Sequence, residues 1–406
     1  MKTKRVEQVK EPVLGSLLGA EEIEAVARVI REGQALSRGP EIDKFEEAFA
    51  QHLGVKYCVA LSSCTAALRL AFQSLNLGEK DHVIVPVNAF WNAVAYLIEK
   101  NVEISYVDVS QYSLTIDVSM LKKLVKKNTK AILSYTHGGN PNNMRALREF
   151  CDIYELTLIE DSAHGNGSEW ENQSIANWSD IACYSFSTLK NMTTLGEGGL
   201  IATNSQAIAE KIKLLRSCYP IGSYVEAKRG KIDPTMEKFL KPGDFFRNDW
   251  KSLESVGSKF VMTTPQAAVG LVQLNKLKDM NAKRQKIAEN YNTNLSDIKN
   301  VKLWDVSPNA KHSWHLFQFF LTGNLINHRM DIIHELRENY KIEIVNRFWP
   351  LSKNPLFLMK KTKGKSSVYQ DLIDNQIMAL PISPILSEDE IDYVITKTIN
   401  VLKSKR

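Results

Sequence analysis

The chain has 406 residues, 44% of them hydrophobic and 24% charged, with a formal net charge of +6. That length supports one large core plus a satellite, and the ordinary composition excludes disorder beyond the short basic tips MKTKR and KSKR. The modest charge excess is mostly a solvated lysine surface, with room for a basic mouth that attracts an anionic substrate, and there is no clustered basic motif to suggest nucleic acid.

Residues 20–33 (AEEIEAVARVIREG) put Ile23, Val26, Val29 and Ile30 on one helical face, with Gly33 as a stop. A second helix is expected over 40–52, opened by Pro40 and carrying the stripe Phe45, Ala48 and Phe49. Short apolar strands then alternate with helical stretches. The strands are expected at 57–61, 83–85, 104–109, 131–135, 156–160, 181–186 and 199–203. The helices are expected at 66–75, 93–99, 118–125 and 144–154. This alternation predicts an α/β domain with a mainly parallel sheet, whose ligand lies beyond the carboxyl ends of the strands.

After residue 205 the character changes. Helices are expected at 206–216 and, much longer, at 265–292, with a polar Gly- and Pro-containing stretch, Tyr219–Lys259, between them. Beyond Val301 come strand-like HLFQFFLTG, a helix at 330–340, strand-like KIEIV and a closing helix at 388–402. These read as a smaller C-terminal α+β domain, with the large domain over 1–260 and the long helix plus small domain over 261–406. Five cysteines (Cys58, Cys64, Cys151, Cys183, Cys218) show no C-x-x-C spacing and suggest neither a disulfide framework nor a zinc site; no metal is expected. With no apolar leader and no run of about 18 apolar residues, the expected location is the cytoplasm, away from membranes.

Four segments carry chemistry. Ser62-Ser63-Cys64-Thr65-Ala66-Ala67 runs from a strand into a helix, where small residues and the helix dipole suit an anion, or simply cap a buried helix. Leu158-Ile159-Glu160-Asp161-Ser162-Ala163-His164 ends an apolar strand in two carboxylates. Such a group can serve as a general base, a metal ligand, a partner for a protonated ring nitrogen or a helix cap. Tyr184-Ser185-Phe186-Ser187-Thr188-Leu189-Lys190-Asn191 leads into Gly196-Glu197-Gly198-Gly199. A lysine pressed between apolar strands and glycine turns loses solvation, and its amine becomes nucleophilic. Pro86-Val87-Asn88-Ala89-Phe90-Trp91 places an aromatic at another strand end, as a ring platform or as core. Pyridoxal phosphate requires all of these at once: an anion site, an acid on the ring nitrogen, an imine-forming lysine and a ring contact. No G-x-G-x-x-G or G-x-x-x-x-G-K-[ST] competes with that reading.

In these segments the sequence resembles the DegT/DnrJ/StrS family of sugar aminotransferases, pyridoxal-phosphate enzymes of fold type I (aspartate-aminotransferase-like). The resemblance spans nearly the whole chain, from LGAEEIEAVARVIREG through SSCTAAL, IVPVNAFWNAVA, LIEDSAHGNGS and SFSTLKNMTTLGEGG to LPISPILSEDEIDYV. It implies that Lys190 holds the cofactor as an imine and carries the proton, and that Asp161 keeps the ring nitrogen protonated. It further implies that Thr65, Ala66 and Ser185 contact the phosphate, Phe90 stacks on the ring and His164 supports its hydroxyl side. The implied donor is L-glutamate or L-glutamine, the acceptor a keto-sugar that is usually nucleotide-linked or, in some relatives, a keto-cyclitol. The implied assembly is a homodimer with shared active sites.

Two departures stand out. Where the family has G-Y-N-[YF]-R-M, whose Asn reaches the partner's phosphate, this chain has Gly257-Ser258-Lys259-Phe260-Val261-Met262, with Lys259 at the Asn position. The Tyr219–Ser258 stretch is also longer than in the simplest members. A related branch with His in place of the lysine dehydrates sugars, and Lys190 argues against that branch. A non-enzymatic regulatory role is the remaining alternative and would require neither Lys190 nor Asp161.

Overall fold

The computed structural model describes residues 6–10, 12–37, 39–217, 257–354, 362–363 and 368–405. Cys218 and residues 219–256, most of the long polar stretch, lie outside the described residues, as do both basic tips except residues 403–405.

The chain opens with helices α1 (Ala20–Arg31) and α2 (Glu41–Leu53). Gly54, at φ 70°, ends α2 in the left-handed conformation that glycine adopts without strain. Phe45 and Phe49 are fully buried, as their stripe predicts, and each contributes about 1.5–3 kcal/mol of burial. The expected face of α1 is corrected. Ile23 and Ile30 are 72% and 64% exposed, whereas Ala25 and Val29 are buried. Small residues let α1 lie close on Ala268 of the long helix, and buried Glu22 is anchored there by Lys276 Nζ at 2.8 Å. Close backbone approach, rather than the bulk of the isoleucines, selects the packed face.

Strands β1 (Tyr57–Leu61), β2 (His82–Pro86), β3 (Glu103–Val107), β4 (Thr129–Tyr135), β5 (Thr157–Ser162), β8 (Ile181–Ser185), β9 (Gly199–Thr203) and β13 (Thr362–Lys363) form one sheet, ordered β1-β9-β8-β5-β4-β2-β3-β13. Pairs from β8 through β5, β4, β2 and β3 to β13 are parallel, and β9 is antiparallel to both β1 and β8. Two antiparallel steps restore direction, so β1 also points its carboxyl end to the same edge as β5 and β8. Between the strands lie α3 (Cys64–Ser74), α4 (Ala95–Glu99), α5 (Val118–Leu124) and α6 (Met144–Ile153), close to their expected spans. Short β6 (Glu169–Trp170), β7 (Gln173–Ser174) and β11 (Ala310–Lys311) make a small outlying sheet. Helix α7 (Gln206–Arg216) follows β9.

The long helix Thr264–Leu295 serves two cores. Leu277 and Met280 pack with α2 and β8, while Ile287, Ala288, Tyr291 and Leu295 join the C-terminal core. That second core surrounds a three-stranded antiparallel sheet of β10 (Val301–Leu303), β12 (Phe317–Leu321) and β14 (Ile377–Leu380), closed by helix Glu388–Ser404. The strand expected at KIEIV is instead an irregular segment in which Ile342 makes one bridge to Val9. Its alternating pattern is met by an N-terminal segment rather than by a sheet neighbour. Among the described residues no helix is long and apolar enough to cross a membrane.

Candidate active site

The common carboxyl edge of β1, β5 and β8 gathers three of the four segments. At the end of β1, Ser63 caps α3, its Oγ accepting from Ala66 N at 3.1 Å. The N–H of Ala66 is thereby occupied. Those of Cys64 and Thr65 have no partner within the helix and remain for an anion. Thr65 is exposed and Ala66 buried. Gly199 makes this cradle possible, because a Cβ there would lie 2.2 Å from the Ser63 carbonyl carbon and 2.5 Å from Cys64 N. Ser185, buried at the end of β8, has its carbonyl held by Asn166 Nδ2 at 3.0 Å.

Asp161 lies at the end of β5, buried, with Oδ1 accepting from Ala163 N at 3.0 Å and facing the Cys64 thiol at 3.9 Å. Cys64 thus joins the anion cradle to the acid. Burial is the largest influence on Asp161 and raises its pKa to about 6. The Ala163 N–H and the charge of Lys190 pull the other way. Lys190, half-buried in the turn after β8, is pushed down to about 8 by loss of solvation, against the opposing attraction of Asp161 and with added repulsion from Arg347. Gly15 packs beneath this turn, its N–H donating to Thr188 O at 2.9 Å, and a Cβ there would lie 2.0 Å from Leu189 O. The result is an amine that releases its proton more readily than an ordinary lysine, beside an acid that still ionises.

His164 is buried, its Nδ1 accepting from Gly138 N at 3.1 Å and lying 2.8 Å from Tyr135 Oη. Because Gly138 can only donate, the network assigns the hydrogen of neutral His164 to Nε2. The ring of Phe348 stacks toward His164 with centroids 6.2 Å apart, and Phe90 packs on Phe348 at 5.1 Å. Phe90 therefore reaches the site through an aromatic contact from the C-terminal part of the chain. Lys259 is exposed. Its segment runs beside the cradle of its own chain, with Phe260 O accepting from Ser62 N at 2.8 Å and Val261 bridging Leu61.

The sequence reading did not single out Cys64, Tyr135, His315, Arg347 or Phe348 as site residues. Cys64 was visible within SSCTAA as a small residue only. The others carry no local signal, since they meet the site across more than 25 residues of chain. Among the described residues no cluster of His, Cys, Asp and Glu can hold a metal ion. The donor set suits a phosphorylated aromatic cofactor instead: helix N–H groups with small residues for the phosphate, a buried carboxyl for a ring nitrogen and a desolvated amine.

The sequence profile described as the DegT/DnrJ/EryC1/StrS aminotransferase family matches residues 17–398. The spore coat polysaccharide biosynthesis protein SpsC of Bacillus subtilis is 29% identical over 390 residues, covering 95% of this chain and 96% of its own. Among solved structures, NtdA from Bacillus subtilis with bound cofactor PMP superposes with a TM-score of 0.83 at 26% identity, covering 99% of this chain and 87% of NtdA. DesV from S. venezuelae, in complex with a ketimine intermediate, gives a TM-score of 0.82 at 25% identity, with 94% of each chain covered.

Proposed function

The chain belongs to the DegT/DnrJ/EryC1/StrS aminotransferase family, pyridoxal 5'-phosphate-dependent enzymes, and on that premise we propose that it moves an amino group from L-glutamate or L-glutamine to a keto-sugar in amino-sugar biosynthesis. The observation that carries this reading is the meeting of the Lys190 amine and the Asp161 carboxyl at one buried strand edge, beside the open N-terminus of α3. The polysaccharide-biosynthesis name of SpsC supports a sugar acceptor, in which a nucleotide handle is the finer expectation.

Bound at this edge, pyridoxal 5'-phosphate supplies an electron-withdrawing ring that acidifies the Cα–H of the donor. The chain's own groups do the rest. The Cys64 and Thr65 N–H groups, the Thr65 hydroxyl and the Ser185 hydroxyl hold the phosphate. Asp161, ionised when it faces a cation, keeps a proton on the ring nitrogen. Lys190, with its pKa near 8, gives up and takes back a proton near neutral pH, as a group that is both nucleophile and proton carrier must. His164 presents its Nε2–H to the cofactor's hydroxyl side, and Phe90 with Phe348 walls the site. We further propose a homodimer with shared sites, in which exposed Lys259 supplies a cation to a phosphate at the edge of the cradle.

The test is a visible spectrum of the purified protein with pyridoxal 5'-phosphate, before and after L-glutamate or L-glutamine, followed by steady-state kinetics with candidate keto-sugars. The expected result is a lysine-bound cofactor band that a donor discharges, and parallel double-reciprocal lines. Intersecting lines with no donor half-reaction would contradict the two-step exchange.

A further inference from the structure

His315, at the start of the strand-like HLFQFFL segment, has no role in the mechanism above, yet it is buried beside the site with its ring 4.0 Å from that of His164. Its hydrogen can be located from groups that cannot be reversed. Asn281 Nδ2 donates to the main-chain carbonyl of Asn166 at 2.9 Å, so Asn281 Oδ1 is the oxygen that faces Asn191. Asn191 Nδ2 donates to that oxygen at 2.9 Å and to the main-chain carbonyl of Ser313 at 2.8 Å. Asn191 must then turn its Oδ1 toward His315 Nδ1, 3.1 Å away, and Nδ1 carries the hydrogen.

Nε2 of His315 therefore presents a lone pair. Among the described residues it is buried and has no hydrogen-bond partner. A purely packing role would leave that acceptor unmet by any described protein group, a cost that only a water could offset. The cavity that His315 shares with Leu189, Arg284 and Arg347 is only about 30 Å³, room for little more than one water. The neighbour of Asn191 in the chain is Lys190.

We propose that His315 is a positioning residue for Lys190: in the cofactor-loaded enzyme its Nε2 accepts a hydrogen bond from the Lys190 nitrogen when that nitrogen carries a proton. The residues around His315 support an acceptor that stays neutral. Burial first, then the charges of Lys190, Arg284 and Arg347 and the ring of His137, keep it far below the usual histidine range, and His164, tilted against it, brings no negative charge. The inference rests on the assignment of Lys190 made above.

The test uses the cofactor-loaded enzyme without substrate. The pH titration of the visible band of the lysine-bound cofactor is compared for the parent, His315→Asn and His315→Gln, alongside their melting temperatures. Asparagine can still donate to Asn191 but has nothing at the Nε2 position, whereas glutamine can place its amide oxygen there. The expected result is a midpoint lowered by about one pH unit or more in His315→Asn, since a protonated nitrogen loses its acceptor, and a donor half-reaction about tenfold slower. His315→Gln should recover most of both, with melting temperatures close to the parent. An unshifted midpoint in His315→Asn, or a His315→Gln as impaired as His315→Asn, would overturn the proposal. Nitrogen NMR of the unaltered protein, labelled on histidine, is independent of these variants: a hydrogen on Nε2 of His315 would also overturn it. Absence of any lysine-bound band in the parent would instead sink the Lys190 assignment, and this inference with it.

Discussion

Asp161 and Glu160 are neighbours on β5, both buried, and they face opposite sides of the same sheet. Asp161 looks to the site, where a cation and a main-chain N–H hold its pKa to about 6 despite burial. Glu160 looks with Leu158 to the helix-covered face, where hydroxyls and the Thr136 main chain meet it: Thr136 Oγ1 donates at 2.6 Å, with Ser134 alongside. Burial pushes its pKa up to about 8, so at neutral pH it is mostly a neutral acid. The same strand thus makes one carboxylate that faces the candidate site and one carboxylic acid held among hydroxyls. Burial raises both acids; the Ala163 N–H first, and the charge of Lys190 second, keep Asp161 the more readily ionised of the two.

Removing that cation should have the largest effect. Lys190→Ala should abolish transamination and the visible cofactor band, and should raise the titration of Asp161 toward that of Glu160, read by carboxyl NMR. Next is Asp161→Asn, which keeps shape and some cofactor binding but removes the charge. We expect a loss of about 10²–10⁴-fold in the donor half-reaction by stopped-flow absorbance, and a near-normal rate would contradict the role assigned to Asp161.

On the other face, Glu160→Ala should leave activity in the surviving folded enzyme but cost about 1–3 kcal/mol in denaturant unfolding, because the Thr136 and Ser134 hydroxyls lose their acceptor. Glu160→Gln should be milder and should change the pH dependence. A carboxyl raised from 4.5 to about 8 binds its proton more tightly in the folded chain. Its contribution is complete below about pH 4.5 and is lost as pH rises through about 8. The parent should therefore lose stability relative to Glu160→Gln across that window, by a few kcal/mol at most, and an equal slope in both would refute a neutral Glu160. The smallest effect is expected from Ser185→Ala, which should weaken cofactor retention by about 1.5–3 kcal/mol, measured by dialysis and spectral titration, with little change in the rate of the loaded enzyme.

The motif residues were legible because each stands where a strand gives way to a turn or helix, and the parallel order sends those ends to one edge. The strand spans 57–61 and 199–203 and the helix 206–216 follow from periodicity alone. Periodicity misplaced the packed face of α1, since Ile23 and Ile30 obey the same spacing as Val29 yet remain exposed. It also read KIEIV as a strand, because alternation reports a half-buried extended chain and not the partner that covers it. The pair Glu160–Asp161 was visible as two acids; which of them keeps its charge was not, because that depends on what lies across each face.

By itself, then, the sequence determined the α/β alternation, the cradle at Ser63–Thr65, the acid at 161 and the amine at 190, all set by short-range patterns of backbone preference and side-chain chemistry. Only the tertiary structure decided the rest. It brought Cys64 to Asp161 across 97 residues and Asn191 to His315 across 124. It also placed the hydrogens on the two adjoining histidines, His164 and His315. Those outcomes depend on desolvation and on hydrogen-bond partners that cannot be reversed, and both exist only once distant segments have closed on one another.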